Sequence, residues 1–384
     1  MFSRTDKAIA DAVAAKRVAG VVAMVQTANG ETLYETAQGV RSLETGVPMT
    51  LDTVCSIFSM TKAITSVCVL QQVEQGNIGL DEPLDALLPD LADRPVLEGF
   101  DASGEPILRP KKGDITLRRL LTHTSGFVYD TWNELAKRYA KHADLPPLRT
   151  RKKAGLKMPL AFDPGERWEY GIGIDWAGQA VEALSGQSLG AYMAQHVFAP
   201  LGMTSTLYDL TPELAARKAQ VHGRQADGSL KPFDPPIAEA PEFEGGGGGL
   251  SSTVGDYMRF SQAILNGGSP LLKVETMPLV RENQMGQLRV RPLPTFIPHL
   301  SNPAEFFPGL PKAWSAAFML NLKDAPTGRS AGSMAWAGLG NCYHWIDPHK
   351  GVTGSILTQT LPFCDPDVLA LFDLLERDTY AAIR

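Results

Sequence analysis

The sequence predicts an α/β fold of the α+β kind, an antiparallel sheet flanked by helices with a mainly helical lobe inserted into it. Three observations carry this: a hairpin signal near the N-terminus, two strand-like runs near the C-terminus, and between them a long stretch of helices and proline-rich connections. If the two ends share one sheet, residues 1–57 and 286–384 form the α/β subdomain, residues 58–285 form the helical subdomain, and together they make one unit.

The elements follow in order. Ile9, Ala12 and Val13 have helical spacing, and the apolar run Val18 to Val25 after them reads as a strand. Val21 to Thr27, Asn29-Gly30 and Thr32 to Ala37 read as a hairpin, because Asn-Gly supplies the positive φ angles of a tight turn. A helix apolar on nearly every side, hence buried, is expected from Ser59 to Gln75, stopping at Gly76. Another should run from Asp175 to Leu184, burying Trp176, Ala180, Val181 and Leu184 and ending at Ser185-Gly186. Thr253 with Asp256 three residues on is a capping-box pattern for a helix that ends near Gly267. Asn341 to Asp347 and Val352 to Leu361 read as strands joined by a turn over 347–351. Asp365 as cap and Pro366 in the first turn open a last helix that places Val368, Leu371, Phe372 and Leu375 on one face.

Composition removes several function classes. The chain has 384 residues, 44% of them hydrophobic and 20% charged, so it can bury a sizeable core without covalent staples. Its net charge of −6 is spread along the chain, which argues against a nucleic-acid or anionic membrane surface. The basic cluster Arg149, Arg151, Lys152, Lys153 and Lys157 reads as a solvated loop. Four cysteines at 55, 68, 342 and 364 show no metal spacing and HExxH is absent, so neither a metal site nor a disulfide framework is expected. Asp6 and Asp11 disqualify the first residues as an export signal, and no apolar run is long enough to span a membrane, which makes the cytoplasm the expected address.

Two serine motifs compete. Chance alone supplies about 0.8 Ser-x-x-Lys matches at this composition and about 0.2 Gly-x-Ser-x-Gly matches. Context reverses the ranking. Ser330 in Gly328-Arg329-Ser330-Ala331-Gly332 lacks the strand before and the helix after that a nucleophile elbow needs, and it reads as a loop serine. Ser59-Met60-Thr61-Lys62 follows the apolar Val54 to Phe58 and opens the buried helix. Residues three apart share a helix face, so the lysine reaches the hydroxyl, while the positive helix start and burial both disfavour an ammonium. The competing reading is a capping serine beside a snorkelling lysine, and these residues alone leave the two evenly matched.

With Leu120-Leu121-Thr122-His123-Thr124-Ser125-Gly126 and the run Gly245 to Ser252 downstream, Ser59 to Lys62 resembles the serine beta-lactamase and penicillin-binding-protein superfamily. More narrowly, the chain is similar to the class C-like carboxylesterases of family VIII, with matching segments from about residue 15 to 365. The resemblance implies a beta-lactamase/transpeptidase-like catalytic unit with Ser59 as nucleophile and Lys62 and Tyr170 as general base and acid. Tyr170 stands where the family's second motif begins, and Ile172 departs from that motif's asparagine. Trp336-Ala337-Gly338 matches the W-x-G form of the third motif, with Trp336, Gly338 and Leu339 lining the substrate, and the backbone NH groups of Ser59 and Leu339 would form the oxyanion hole. Trp336 replaces a cation that would grip a substrate carboxylate, a loss of roughly 10- to 150-fold for lactam acids relative to neutral esters.

The implied activity is a serine carboxylesterase acting on short- to medium-chain acyl esters, with no cofactor and no metal, and a small-molecule ester as its partner. A beta-lactamase or D-peptide hydrolase, an acyltransferase using the same acyl-enzyme, and a non-enzymatic penicillin-binding-like protein are the alternatives. Phe127, Tyr129 and Trp132 hint at an apolar acyl pocket, His123 reads as a structural hydrogen-bonding residue, and Gly245 to Gly249 as a place where backbone passes close to another segment. Oligomeric state is not legible in the sequence.

Overall fold

The computed structural model describes residues 1–233 and 240–383. Its centre is a seven-stranded sheet built from both ends of the chain: β1 (Gly20–Thr27), β2 (Thr32–Gly39), β3 (Lys312–Trp314), β4 (Met319–Asn321), β5 (Met334–Gly338), β6 (Cys342–Asp347) and β7 (Val352–Leu357). The spatial order is β2-β1-β7-β6-β5-β4-β3, and every neighbouring pair is antiparallel. Val22 lies opposite Leu357, so the first strand and the last are neighbours.

Helices α1 (Ser3–Ala14) and α5 (Pro366–Ala382) pack together on one face. Thr5 Oγ1 donates to Asp378 Oδ2 at 2.8 Å, Arg4 pairs with the same carboxylate, and Phe372 stacks on Tyr343 of β6. Helix α4 (Val254–Leu265) packs against β1, β6 and β7. There Tyr257 and His344 share a hydrogen bond of 3.0 Å. Beyond it α2 (Thr61–Glu74) crosses α3 (Gly173–Ser185), and α2 is buried from Thr61 to Gln72. Such a helix carries no amphipathic stripe because it has no solvent face, which is why its apolar residues run all round.

The capping residues act as their sequence positions imply. Thr253 accepts from the NH of Asp256 at 3.2 Å, and Asp365 accepts from Asp367 and Val368. Asp256 does not complete a reciprocal box, since its carboxylate serves Ser205, Thr206 and Arg259 instead. Other expectations need correcting. Around Asn29-Gly30 only Gly30 takes a positive φ, 83°, and the connection is a longer loop closed by Thr27 NH to the Glu31 carbonyl. The expected strand Val352 to Leu361 breaks after Leu357, and Thr360–Leu361 leaves the sheet to pair in parallel with His222–Arg224. Trp336 to Gly338 lies on a strand of its own, β5, that the sequence reading did not mark, and Asn341 at φ 57° turns the chain into β6. Asn341 Nδ2 braces that turn on the carbonyls of Thr360 and Pro362, each at 2.8 Å.

The basic cluster is mostly exposed, with Arg151 paired to Asp209 and Lys152 to Glu242. All four cysteines are buried and free. Among the described residues, no helix is long and apolar enough to cross a membrane.

Asp365 combines a cap with an ion pair to Arg224 at 2.5 Å and is fully buried. Asp365→Ala should therefore cost more than a cap alone, about 2 kcal/mol or more, read as a lower urea midpoint with unchanged m-value; Asp365→Asn, which keeps the cap acceptor, should cost less.

Candidate active site

Strand pairing sets the position of Ser59. Cys55–Ser56 pairs with Ser251–Ser252, and the NH of Ile57 donates to the Leu250 carbonyl at 3.0 Å. The next residue, Phe58, adopts φ 47°, a conformation unusual for a bulky residue, and the chain enters a single 3-10 turn, Phe58–Met60, before α2 begins. Ser59 thus lies on the turn before the helix rather than within it, and Lys62 occupies the helix's first turn.

Lys62 is 1% exposed. Its Nζ donates to Ser59 Oγ at 3.1 Å, to Tyr129 OH at 2.9 Å and to the Gly247 carbonyl at 2.6 Å. Three acceptors are what an ammonium can fill. The glycine run makes the third contact possible. A Cβ on Gly246 would collide with the Ile174 carbonyl, and one on Gly247 with the Asp175 carboxylate. Asp175 Oδ1 accepts the Gly247 NH at 2.9 Å, while its Oδ2 has no partner. Burial pushes the Asp175 carboxyl above its ordinary range, against the opposing pull of Lys62 and of the Gly247 NH.

Tyr170 is also brought to Lys62, but by its ring, whose centroid lies 4.8 Å from Nζ. Its hydroxyl accepts instead from Trp336 Nε1 at 3.1 Å. Beyond the apolar ring expected of Trp336, its indole NH holds the phenol. Around Tyr170 the rings of His123, Trp336, Tyr129 and Trp132 lie 4.7 to 5.2 Å away. His123 accepts the Gly171 NH at 3.4 Å, and burial, with the Lys62 charge behind it, holds its imidazole well below the usual range and so neutral.

Gly338 and Gly340 bring β5 against the turn that carries Ser59. A Cβ on Gly338 would collide with the Ile57 carbonyl and one on Gly340 with the Phe58 ring, and Leu339 lies between them. Ser59, Lys62, Tyr170, Trp336, Gly338 and Leu339 thus fall in one neighbourhood. Ser330 is elsewhere, in the β4–β5 loop, with its NH on Asp347.

The three aromatics expected to form an acyl pocket take separate places. Phe127 is buried and stacks on Trp176. Tyr129 joins Lys62, and burial, then the charge of Asp175, pushes its phenol well above the usual range. Trp132 donates to Ser301 Oγ and, with Trp168, Tyr170, Leu293 and Phe296, lines a cavity of about 370 Å³. Sequence reasoning missed the hydroxyl role of Tyr129 and the bracing by Asp175. The short glycine run beside Ser251 was the available signal, because consecutive glycines mark where another group needs the space.

A fold of this topology with a serine and a lysine so placed defines a class, the serine enzymes of the beta-lactamase type. The family model described as Beta-lactamase matches residues 5–375, and the chain belongs to that family. Monacolin J acid methylbutanoyltransferase of Aspergillus terreus is 33% identical over 399 residues, covering 98% of this chain and 95% of that protein. Lovastatin esterase of Penicillium rubens is 34% identical over 289 residues, 70% of each. The unliganded structure of simvastatin synthase from Aspergillus terreus aligns with a TM-score of 0.86 at 33% identity, covering 99% of this chain and 98% of that one.

An imidazole held neutral in the fold takes up its proton more readily in the unfolded chain. Stability is therefore intact above pH 6.5 and falls below it, by about 1.4 kcal/mol per pH unit for each such group. His344, pushed down to about 3 by burial, contributes a second slope of the same sign. His123→Gln should remove one of the two, seen as a shallower fall in urea stability between pH 6.5 and 5.

Proposed function

We propose that the protein transfers a short- to medium-chain acyl group from an ester-type donor to an alcohol through an acyl-Ser59 intermediate. The likeness to a methylbutanoyltransferase over 98% of this chain carries the choice of transfer over hydrolysis. The family VIII carboxylesterase reading describes the same acyl-enzyme released to water, and the shorter likeness to lovastatin esterase keeps hydrolysis as the competing outcome.

Ser59 Oγ attacks the donor carbonyl while its proton passes to Lys62. In the reacting form Lys62 is an amine that keeps an NH on the Gly247 carbonyl, which can only accept, and turns its lone pair toward Ser59. The oxyanion forms against the backbone NH groups of Ser59 and Leu339. When the carbonyl re-forms, the donor's C–O bond breaks and its oxygen takes a proton from the Lys62 and Tyr170 pair. The acceptor alcohol then attacks the acyl carbon, gives its proton to the same pair, and Ser59 leaves with a proton restored. Two tyrosines divide the work: Tyr129 holds the lysine, and Tyr170, held by Trp336, faces the leaving and entering oxygens.

The aromatic-walled cavity beside Tyr170 suits an apolar acceptor. An alcohol held at the acyl carbon reaches effective molarities of about 10⁵ M or more, above that of bulk water.

The deciding measurement incubates p-nitrophenyl butyrate with 2-phenylethanol and separates the products. Phenylethyl butyrate should exceed free butyrate; butyrate alone would return the protein to the hydrolases. Ser59→Ala should lower nitrophenol release by about 10³-fold or more and leave no acyl adduct in the intact mass. Trp336→Phe keeps the ring but loses the bond to Tyr170, and kcat should fall about 2- to 10-fold.

A further inference from the structure

A cavity of about 580 Å³ lies apart from Ser59, between the 305–310 loop, β5 and α5. Its origin is visible in the strand residues. Ala335 pairs with Trp345 and Ala337 with Tyr343, whose rings meet Phe372 of α5. Opposite those large residues the alanines leave the α5 side of β5 thin, and Phe306, Phe307, Leu310, Leu369 and Phe372 wall the remaining space without closing it. Interiors close-pack to leave few voids larger than a water, and this volume lies in the range of small-molecule sites.

Three residues of its lining carry buried polar atoms without partners. Arg329, carried in by the Gly-x-Ser-x-Gly loop, is 2% exposed, Glu376 is 1% and Thr327 is 4%. Arg329 Nη2 pairs with Glu376 Oε1, but Arg329 Nε, Glu376 Oε2 and Thr327 Oγ1 bond to nothing. The guanidinium lies between the rings of Phe307 and Phe372, 5.1 and 5.7 Å from their centroids. Buried donors and acceptors left open are rare in native proteins, and three of them belong to residues that line this one apolar cavity.

We propose that this cavity is a second small-molecule site, distinct from the Ser59 site, which takes a neutral and largely apolar molecule bearing a hydroxyl group. Both atoms are closed to a water-sized probe as the side chains stand, and with a small turn of the two side chains a hydroxyl accepts from Arg329 Nε and donates to Glu376 Oε2, satisfying both at once. A carboxylate cannot do this, and the lining carries Glu305, Asp373 and Glu376 against Arg329, which repels an anion. Trp336 is shared between the two sites: it lines this cavity while its NH holds Tyr170. An occupant therefore bears on the residue that faces the leaving oxygen.

The test titrates 2-naphthol and, in parallel, 2-naphthoate into wild type, Leu369→Trp and Glu376→Gln by calorimetry. Leu369 is a partly exposed wall residue outside the acyl-transfer machinery, so its replacement by tryptophan should fill the cavity, and retained nitrophenol release from nitrophenyl butyrate checks that the variant is folded. Wild type should bind one more equivalent of 2-naphthol than Leu369→Trp, and Glu376→Gln should weaken that binding at least ten-fold. 2-Naphthoate should show no such extra equivalent. Coincident isotherms for wild type and Leu369→Trp, or equal affinity for the carboxylate, would overturn the proposal, as would no binding of 2-naphthol by wild type at millimolar concentration. Naphthol binding at the Ser59 site alone gives coincident isotherms, so failure of this proposal and failure of the acyl-transfer reading are separable.

Discussion

A lysine taken out of water with only neutral oxygens in contact is the constraint around which the molecule is arranged. Burying a charge costs several kcal/mol unless hydrogen bonds replace its hydration. Lys62 meets that demand with a serine, a tyrosine and a backbone carbonyl. None of the three is a carboxylate, so the proton is not locked in place by an ion pair. An acid, Asp175, acts at one remove by fixing the peptide NH of the residue whose carbonyl meets the lysine. For that peptide to reach Lys62, the segment before Ser251 must lie against α2 and α3 without side chains, and at Gly245, Gly246 and Gly247 a Cβ would collide with a neighbouring atom. The burial of α2 and the crossing of α3 follow from the same requirement.

The aromatic residues of the site form a second layer with a different function. Tyr170, Trp336, Trp314 and His123 contact one another over residues that lie far apart in sequence. Rings lose little side-chain entropy on ordering and hold large areas rigidly, so a hydroxyl mounted among them stays where it is put. A neutral histidine suits such a box because a charged one would compete with Lys62.

What the sequence disclosed divides along range. Contacts between residues three or four apart were readable, which is why the caps at Thr253 and Asp365 could be placed from spacing and residue type alone, whereas spacing put Ser59 and Lys62 on one face and the family resemblance decided between the two readings of the pair. Tyr129 and Gly247 reach Lys62 across 67 and 185 residues, and no local pattern records such a meeting. Tyr129 instead read as one aromatic among three. The strand Met334–Gly338 was hidden because alanines and a glycine have weak strand preference, and their smallness makes room for the turn that carries Ser59 and for the cavity behind it. The Asn29-Gly30 turn misled in the other direction: a strong dipeptide signal gave the right hairpin with the wrong loop, since only one of the two residues needed the left-handed conformation.

The neighbourhood of β1 and β7 has a consequence for how the protein is made. β1 leaves the ribosome roughly 330 residues before its partner, and at about 5–20 residues per second that interval is about 15 to 70 s. During that time β2 covers one edge of β1 while the other, which Leu357 and its neighbours will occupy, presents unpaired peptide groups. The nascent chain must therefore protect an open strand edge through most of its synthesis, and the helical middle has time to form before the sheet that holds it can close.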